Sequence, residues 1–377
     1  MTKRTWLFRF LTTLLIFGLA ACGGDGGGGG GGGGGIPTAT NSAITPPPTT
    51  AVAITTAGGV TSTTNQAIAA NAFQASEGAL SNATTASELV GALAGNSGTQ
   101  AKRETLGAIV RRHAEKLKDH QSFKDQQSSL TSAVQVATQA CTGGGTITVA
   151  FDDANLSATE VFVNCNEGGI VLHGTISSSN VGVSQNLGST VGSPYSVTVT
   201  ATFTIDLSVA TTAPASSVVT QGSFTFTVAF SGTMVAAATG GGVEPGVPNR
   251  VQVSMSGASL LTSNGTVRER LSNFSISVDD NDTLGRTTIS GDYTYASTII
   301  GGSVTVNISP AIVYQPQGAL HPGSGEVTIT SPASLGKIVL TVISSPVVGV
   351  RVDVYANAAD ALATATVNLT WAQVDAL

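Results

Sequence analysis

Charge, aromatic side chains and histidine are all scarce in this sequence. Only 10% of the 377 residues are charged and 5% are aromatic. The balance of 16 Lys and Arg against 22 Asp and Glu leaves a formal net charge of −6, which provides no basic footprint for nucleic acid. Four histidines cannot assemble an obvious base or chelate. His113 and His120 are seven apart, not the four that zinc-binding helices use. His173 falls on the polar parity of "IVLHGTI", and His321 precedes Pro322 in a turn. G-x-S-x-G, H-E-x-x-H and Walker A motifs are absent. Ser334 and Lys337 have S-x-x-K spacing, but neither S-D-N nor K-T-G follows, and the position opens a strand rather than a helix. We expect no enzyme and no cofactor.

One acidic stretch stands out. "VDDNDTLG" puts Asp279, Asp280, Asn281 and Asp282 together, and clustered carboxylates suit Ca²⁺. Read as a calcium loop from Asp279, its sixth position is Leu284 where glycine is required, and Asp and Asn are also ordinary hairpin-turn residues. Asp279, Asn281 and Asp282 are therefore weak metal candidates, and a turn is the expectation.

Long apolar runs are missing too. The longest at the amino terminus, "FLTTLLIFGLAA", ends at Ala21 and is shorter than the roughly 20 residues a membrane-crossing helix needs. With Lys3, Arg4 and Arg9 before it, it reads as the charged and apolar regions of a signal peptide. Leu19-Ala20-Ala21-Cys22 resembles the lipobox of bacterial lipoprotein precursors. That resemblance implies a diacylglyceryl thioether on Cys22, cleavage after Ala21 and an acylated new amino terminus. Two or more chains hold stably where one holds marginally. Gly23 rather than aspartate after the cysteine favours, within that class, the outer membrane of the bacterial envelope.

Ten consecutive glycines, Gly26 to Gly35, and then "TPPPTT" follow the cysteine. This composition has high backbone freedom and little apolar surface, so residues 22–64 are expected to be a disordered tether after a signal peptide over residues 1–21. Residues 65–130 read as helical. "AKRETLGAIVRRHAEKLKDHQSF" carries Leu106, Ile109, Val110, His113 and Leu117 as one stripe. Its Lys102, Arg103, Arg111, Arg112, Lys116, Lys118 and Lys124 form a basic segment, read as a solvated helix face before a patch for anionic lipid or an envelope polymer.

From residue 131 to 377 the period is two. "YSVTVTATFTIDLSV" places Tyr195, Val197, Val199, Ala201, Phe203, Ile205, Leu207 and Val209 on one parity. About a dozen such runs, separated by Gly, Asn, Pro and Ser, predict an antiparallel meander built as a two-sheet sandwich or a curled half-barrel. Strands as long as Pro194 to Val209, roughly 50 Å at 3.3 Å per residue, must bend, and Gly174, Gly222, Gly232, Gly257 and Gly291 are the expected points. A transmembrane barrel would need aromatic girdles, and five Tyr with two Trp do not supply them.

Lipidation of Cys22 leaves Cys141 and Cys165 as a pair in a chain routed to an oxidising compartment, so a disulfide is expected. "TITVAF" and "EVFVNC" flank the turn "DDAN", and the two cysteines are equidistant from residue 153. They are expected to face each other across that hairpin. "CTGGGTITV…VNC…GGIVLHGT" with the closing "TWAQVDAL" is loosely similar to a group of uncharacterised envelope lipoproteins. The expectation is a lipoprotein held to the membrane at Cys22, with a non-catalytic structural or interaction module. A carrier whose curved sheet binds a lipid or other hydrophobic ligand is the alternative.

Overall fold

The computed structural model describes residues 36–55, 65, 68–72, 135–141, 143–152, 157–167, 170–212, 215–236, 242–316, 319, 321–345 and 347–374. Cys22 and the expected helix carrying Leu106, Val110 and Leu117 lie outside these residues. So do His113, His120 and the basic segment.

The protein is mainly β. Its strands are β1 (Gln135–Ala140), β2 (Thr146–Asp152), β3 (Ser157–Glu167), β4 (Ile170–Asn186), β5 (Pro194–Thr212), β6 (Ala215–Ala236) and β7 (Val243–Ser263). Then follow β8 (Arg268–Asn281), β9 (Arg286–Ser297), β10 (Gly302–Tyr314), β11 (Glu326–Thr330), β12 (Lys337–Ile343), β13 (Gly349–Tyr355) and β14 (Ala365–Thr370). A short helix, Trp371–Val374, ends the described chain. All fourteen strands lie side by side in sequence order in one antiparallel sheet, and β1 and β14 do not pair, so the sheet is not closed. The two-sheet sandwich is thereby corrected. Each strand pairs with its neighbour in sequence, and none of the described strands belongs to a second sheet.

The alternation read from the sequence decides which face is buried. On β5 Tyr195, Val197, Ala201, Ile205, Leu207 and Val209 are buried, while Ser196, Thr198, Thr200, Thr204 and Asp206 point the other way and meet solvent. One continuous core collects the apolar parity of β2 to β13, the helical residues Ile68, Ala69 and Ala72, and Trp371 and Val374. Tyr293, fully buried, donates its hydroxyl to Ala72 O at 2.8 Å. A smaller cluster of Tyr195, Val197 and Met234 lies apart, where β5 and β6 reach furthest from the strap described below.

Strands of 17 to 22 residues, β4 to β7, exceed the usual five or six and must bend. Two devices do this. Asn164, Asn180 and Asn273, at φ of 49°, 54° and 47°, each sit where the register slips by an extra residue. These are β-bulges, and Asn tolerates the left-handed region better than other side chains. The second device is glycine on the core-facing parity. Gly291 has φ of 147°, and a Cβ there would run into Ser275 O of the neighbouring strand. Gly174 is similarly closed by Asp206 O.

Cys141 and Cys165 are bonded, with Cα atoms 5.4 Å apart. Their route together differs from the expected hairpin. Thr146 opposes Val163 and Asp152 opposes Ser157, so the ladder does not bring residue 141 opposite residue 165. Instead Cys141 sits in the glycine turn between β1 and β2. Gly143 N donates to Asn166 O and Asn166 N to Gly144 O, which seats that turn against the end of β3. The bulge at Asn164 then aims Cys165 at it.

Candidate functional site: the outer face and the strap across it

Residues 36–55 fall within the span expected to be a structureless tether, and they correct it for those twenty positions. They form an extended strap crossing the outward side chains of the sheet at right angles to the strands. Thr175 Oγ1 donates to Ala39 O, Gln221 Nε2 donates to Ser42 O, and Ile44 N donates to Gln221 Oε1 at 2.8 Å. Arg268 Nη1 donates to Thr45 O. At β10 the strap exchanges backbone hydrogen bonds: Ser303 N donates to Thr50 O and Val52 N to Ser303 O, both at 3.0 Å. It then turns into the core, where Ile54 is buried and its N–H donates to Ser334 Oγ.

The route follows one cross-strand row. Thr175 opposes Asp206, Asp206 opposes Gln221, and the row continues through Leu261, Arg270 and Ala296 to Ser303. Six strand spacings come to about 29 Å, which the eleven steps from Ala39 to Thr50 cover in extended form. Side chains, rather than a sheet edge, hold most of it. Asp206 is the hub: its carboxylate accepts from Asn41 N at 3.1 Å, Asn41 Nδ2 at 3.1 Å and Gln221 Nε2 at 2.9 Å. Asn41 Nδ2 also reaches His173 O at 3.0 Å. The sequence signal for this was weak, because proline, serine and threonine without periodicity read as linker.

Beside the strap the outer face is a lattice of hydroxyls. One row runs Ser177, Thr204, Ser223, Ser259, Ser272 and Thr294 from β4 to β9, then continues to Thr305 and Thr330. The next row aligns Thr202, Thr225, Ser256 and Ser275, and the one after it Thr200, Thr227, Ser254, Ser277 and Ser290. Thr200 and Thr227 hydroxyls meet at 3.0 Å. Each hydroxyl carries one donor and two lone pairs, so such pairs keep capacity for water or a partner.

The sequence-singled residues are spread apart. Asp279 is held by Arg250 in a two-pronged pair, Nε to Oδ1 at 2.7 Å and Nη2 to Oδ2 at 2.9 Å. That hydrogen bond pushes the guanidinium further above its ordinary range. Asp280 accepts from Thr287 Oγ1, Asn281 Oδ1 accepts from Leu284 N, and Asp282 O accepts from Gly285 N. These are the bonds of a β-hairpin turn. Among the described residues no group of three or more His, Cys, Asp or Glu is placed to hold a metal ion. His173 lies on the outer face of β4, and the His321 ring stacks on Trp371 with centroids 4.8 Å apart. Ser334 Oγ is taken by the strap and Lys337 Nζ donates to Ala358 O, so the S-x-x-K pair holds loops in place. Tyr195 donates to Gly246 O at 2.8 Å, and burial pushes its phenol up to about 12.

No protein-family model, curated protein or solved structure matches the chain. Among the described residues no helix is long and apolar enough to cross a membrane, which says nothing of crossing by strands.

Proposed function

We propose that the chain is an envelope lipoprotein, anchored through lipid on Cys22 in the outer membrane, whose β domain is a non-catalytic structural or interaction module. In this reading the sheet curls as a half-barrel around the helical residues 68–72. The observation that carries it is the filled core. Tyr293, Tyr295, Phe162, Phe274, Leu260 and Ile289 are each less than 2% of their surface from complete burial. A carrier needs a cavity of several hundred Å³ lined by such groups, and groups lining one would stay accessible. The face left to partners is the hydroxyl lattice, whose first three rows carry charge at Asp292 of β9, which opposes Ser275, and at Lys337 of β12, which opposes Thr330.

The test has two arms. Replacing Cys22 with Ala in the full chain should abolish acylation and change membrane retention. Organic extraction of the purified native protein should yield no stoichiometric free lipid. Membrane retention with no lipid on the native protein would refute the anchor, and a co-purifying lipid would put the carrier in place of the module.

A further inference from the structure

We propose that one end of the sheet rests on the lipid bilayer through Ile299, Leu335 and Leu362; this rests on the anchored reading above and adds the docking surface. In an antiparallel meander every second connection emerges at the same end. The β9–β10, β11–β12 and β13–β14 connections share one end, and each presents a single large aliphatic side chain to solvent. Ile299 is 47% exposed, Leu335 72% and Leu362 84%. Isolated exposed aliphatics are ordinary. Three on consecutive connections are about two strand spacings, or 10 Å, apart from one to the next and form a row. The row is rigid. Ala358 N donates to Leu335 O, joining the second and third turns, and the strap binds the second at Ser334.

The neighbouring polar groups suit a headgroup region. Lys337 Nζ donates to Ala358 O and lies 4.4 Å over the Tyr355 ring, which puts a cation and an amphipathic aromatic beside Leu335. Of the carboxylates nearby, Asp360 accepts from Asn357 N within its own turn, and Asp353, whose charge reaches Tyr355, is paired with Arg351. The opposite end also exposes aliphatics: Leu187 at 44%, Val191 at 63%, Val235 at 39%, Leu284 at 49% and Val348 at 66%. Leu284, however, shares its turn with Asp282 and lies beside Asp280 at the end of β8, and their charge opposes anionic lipid. The anchor's position favours the first end as well. The strap's amino end lies nearer to it, since Ala39 O accepts from Thr175 Oγ1, five residues from that end of β4 and eleven from the other.

The chain of residues 22–377 with Cys22→Ala, which carries neither an acyl group nor the apolar run before the cysteine, should float weakly with vesicles of phosphatidylethanolamine containing one quarter phosphatidylglycerol. Leu335→Ser should reduce that partition about tenfold, and Leu362→Ser about as much again. Leu187→Ser with Val191→Ser, at the opposite end, should leave it unchanged. All four positions are exposed, and equal melting temperatures would establish that each variant is folded. Absence of flotation, flotation indifferent to Leu335 and Leu362, or flotation lost through the opposite end would overturn the proposal. So would a dimer abolished by Leu335→Ser, which would give the row to a second copy. Since no acyl chain is involved, failure here is distinct from failure of the anchor, which is read in the Cys22 fractionation.

Discussion

Replacing Asp206 with Ala should open the strap without unfolding the sheet. The carboxylate takes three hydrogen bonds, from Asn41 N, Asn41 Nδ2 and Gln221 Nε2, and its loss leaves all three donors to water. A hydrogen bond to a charged group contributes about 1.5 to 3 kcal/mol where it is sheltered, and much less where solvent screens it. Asp206 is half-buried, so the set is taken together as about 2 kcal/mol of the strap's hold. That corresponds to roughly a 30-fold rise in local opening. Amide hydrogen exchange reads it residue by residue. Asn41 N is bonded to Asp206 itself and Ile44 N to the Gln221 side chain that Asp206 orients, so both should exchange faster by about that factor. Val52 N, bonded to Ser303 O across the sheet, should hold its rate. Unchanged exchange at Asn41 would mean the strap is not fastened at Asp206. A proportional rise at Val52 would mean that the strap opens as one unit, and the hub argument would fail.

Three further outcomes follow from the same geometry. Cysteine titration of the unfolded, unreduced protein should find no thiol from Cys141 or Cys165, and reducing the bond should lower stability by about 3 kcal/mol on the chain-entropy argument; two free thiols would contradict this. Gly291→Ala should destabilise by several kcal/mol, since its Cβ meets Ser275 O and φ of 147° is foreign to alanine, whereas Asn273→Gly should be near neutral; equal melting temperatures for Gly291→Ala and the parent would dismiss the bend. Tyr195 has a raised folded-state pKa, so its contribution is intact below pH 10 and should fade between about pH 10 and 12, as alkaline melts of the parent against Tyr195→Phe would register.

The β domain was legible because its signal is local. A two-residue period needs only neighbours, so β5 appears from Pro194 onward as the sequence implies, and the meander follows from turns with no helical pattern between strands. The glycine bends at Gly174, Gly222 and Gly291 were legible for the same reason. The bulges at Asn164, Asn180 and Asn273 were not, since one inserted residue shifts parity without altering composition. The cysteine pairing was found, but symmetry about residue 153 was the wrong reason; the glycine turn after Cys141 needs a long-range contact with Asn166. The strap was hidden most deeply. A segment whose partners are 132 to 280 residues away in sequence has no periodicity to betray it, and "TPPPTT" reads as linker until Asp206, Gln221 and Ser303 are in place.

Mass spectrometry of the intact native protein addresses the central claim most directly. The account predicts a chain beginning at Cys22, heavier than its sequence by covalently bound acyl groups, with the Cys141–Cys165 bond intact and no lipid released on unfolding. A chain that retains Met1 and carries no lipid, or one that releases a stoichiometric hydrophobic ligand when unfolded, would contradict it.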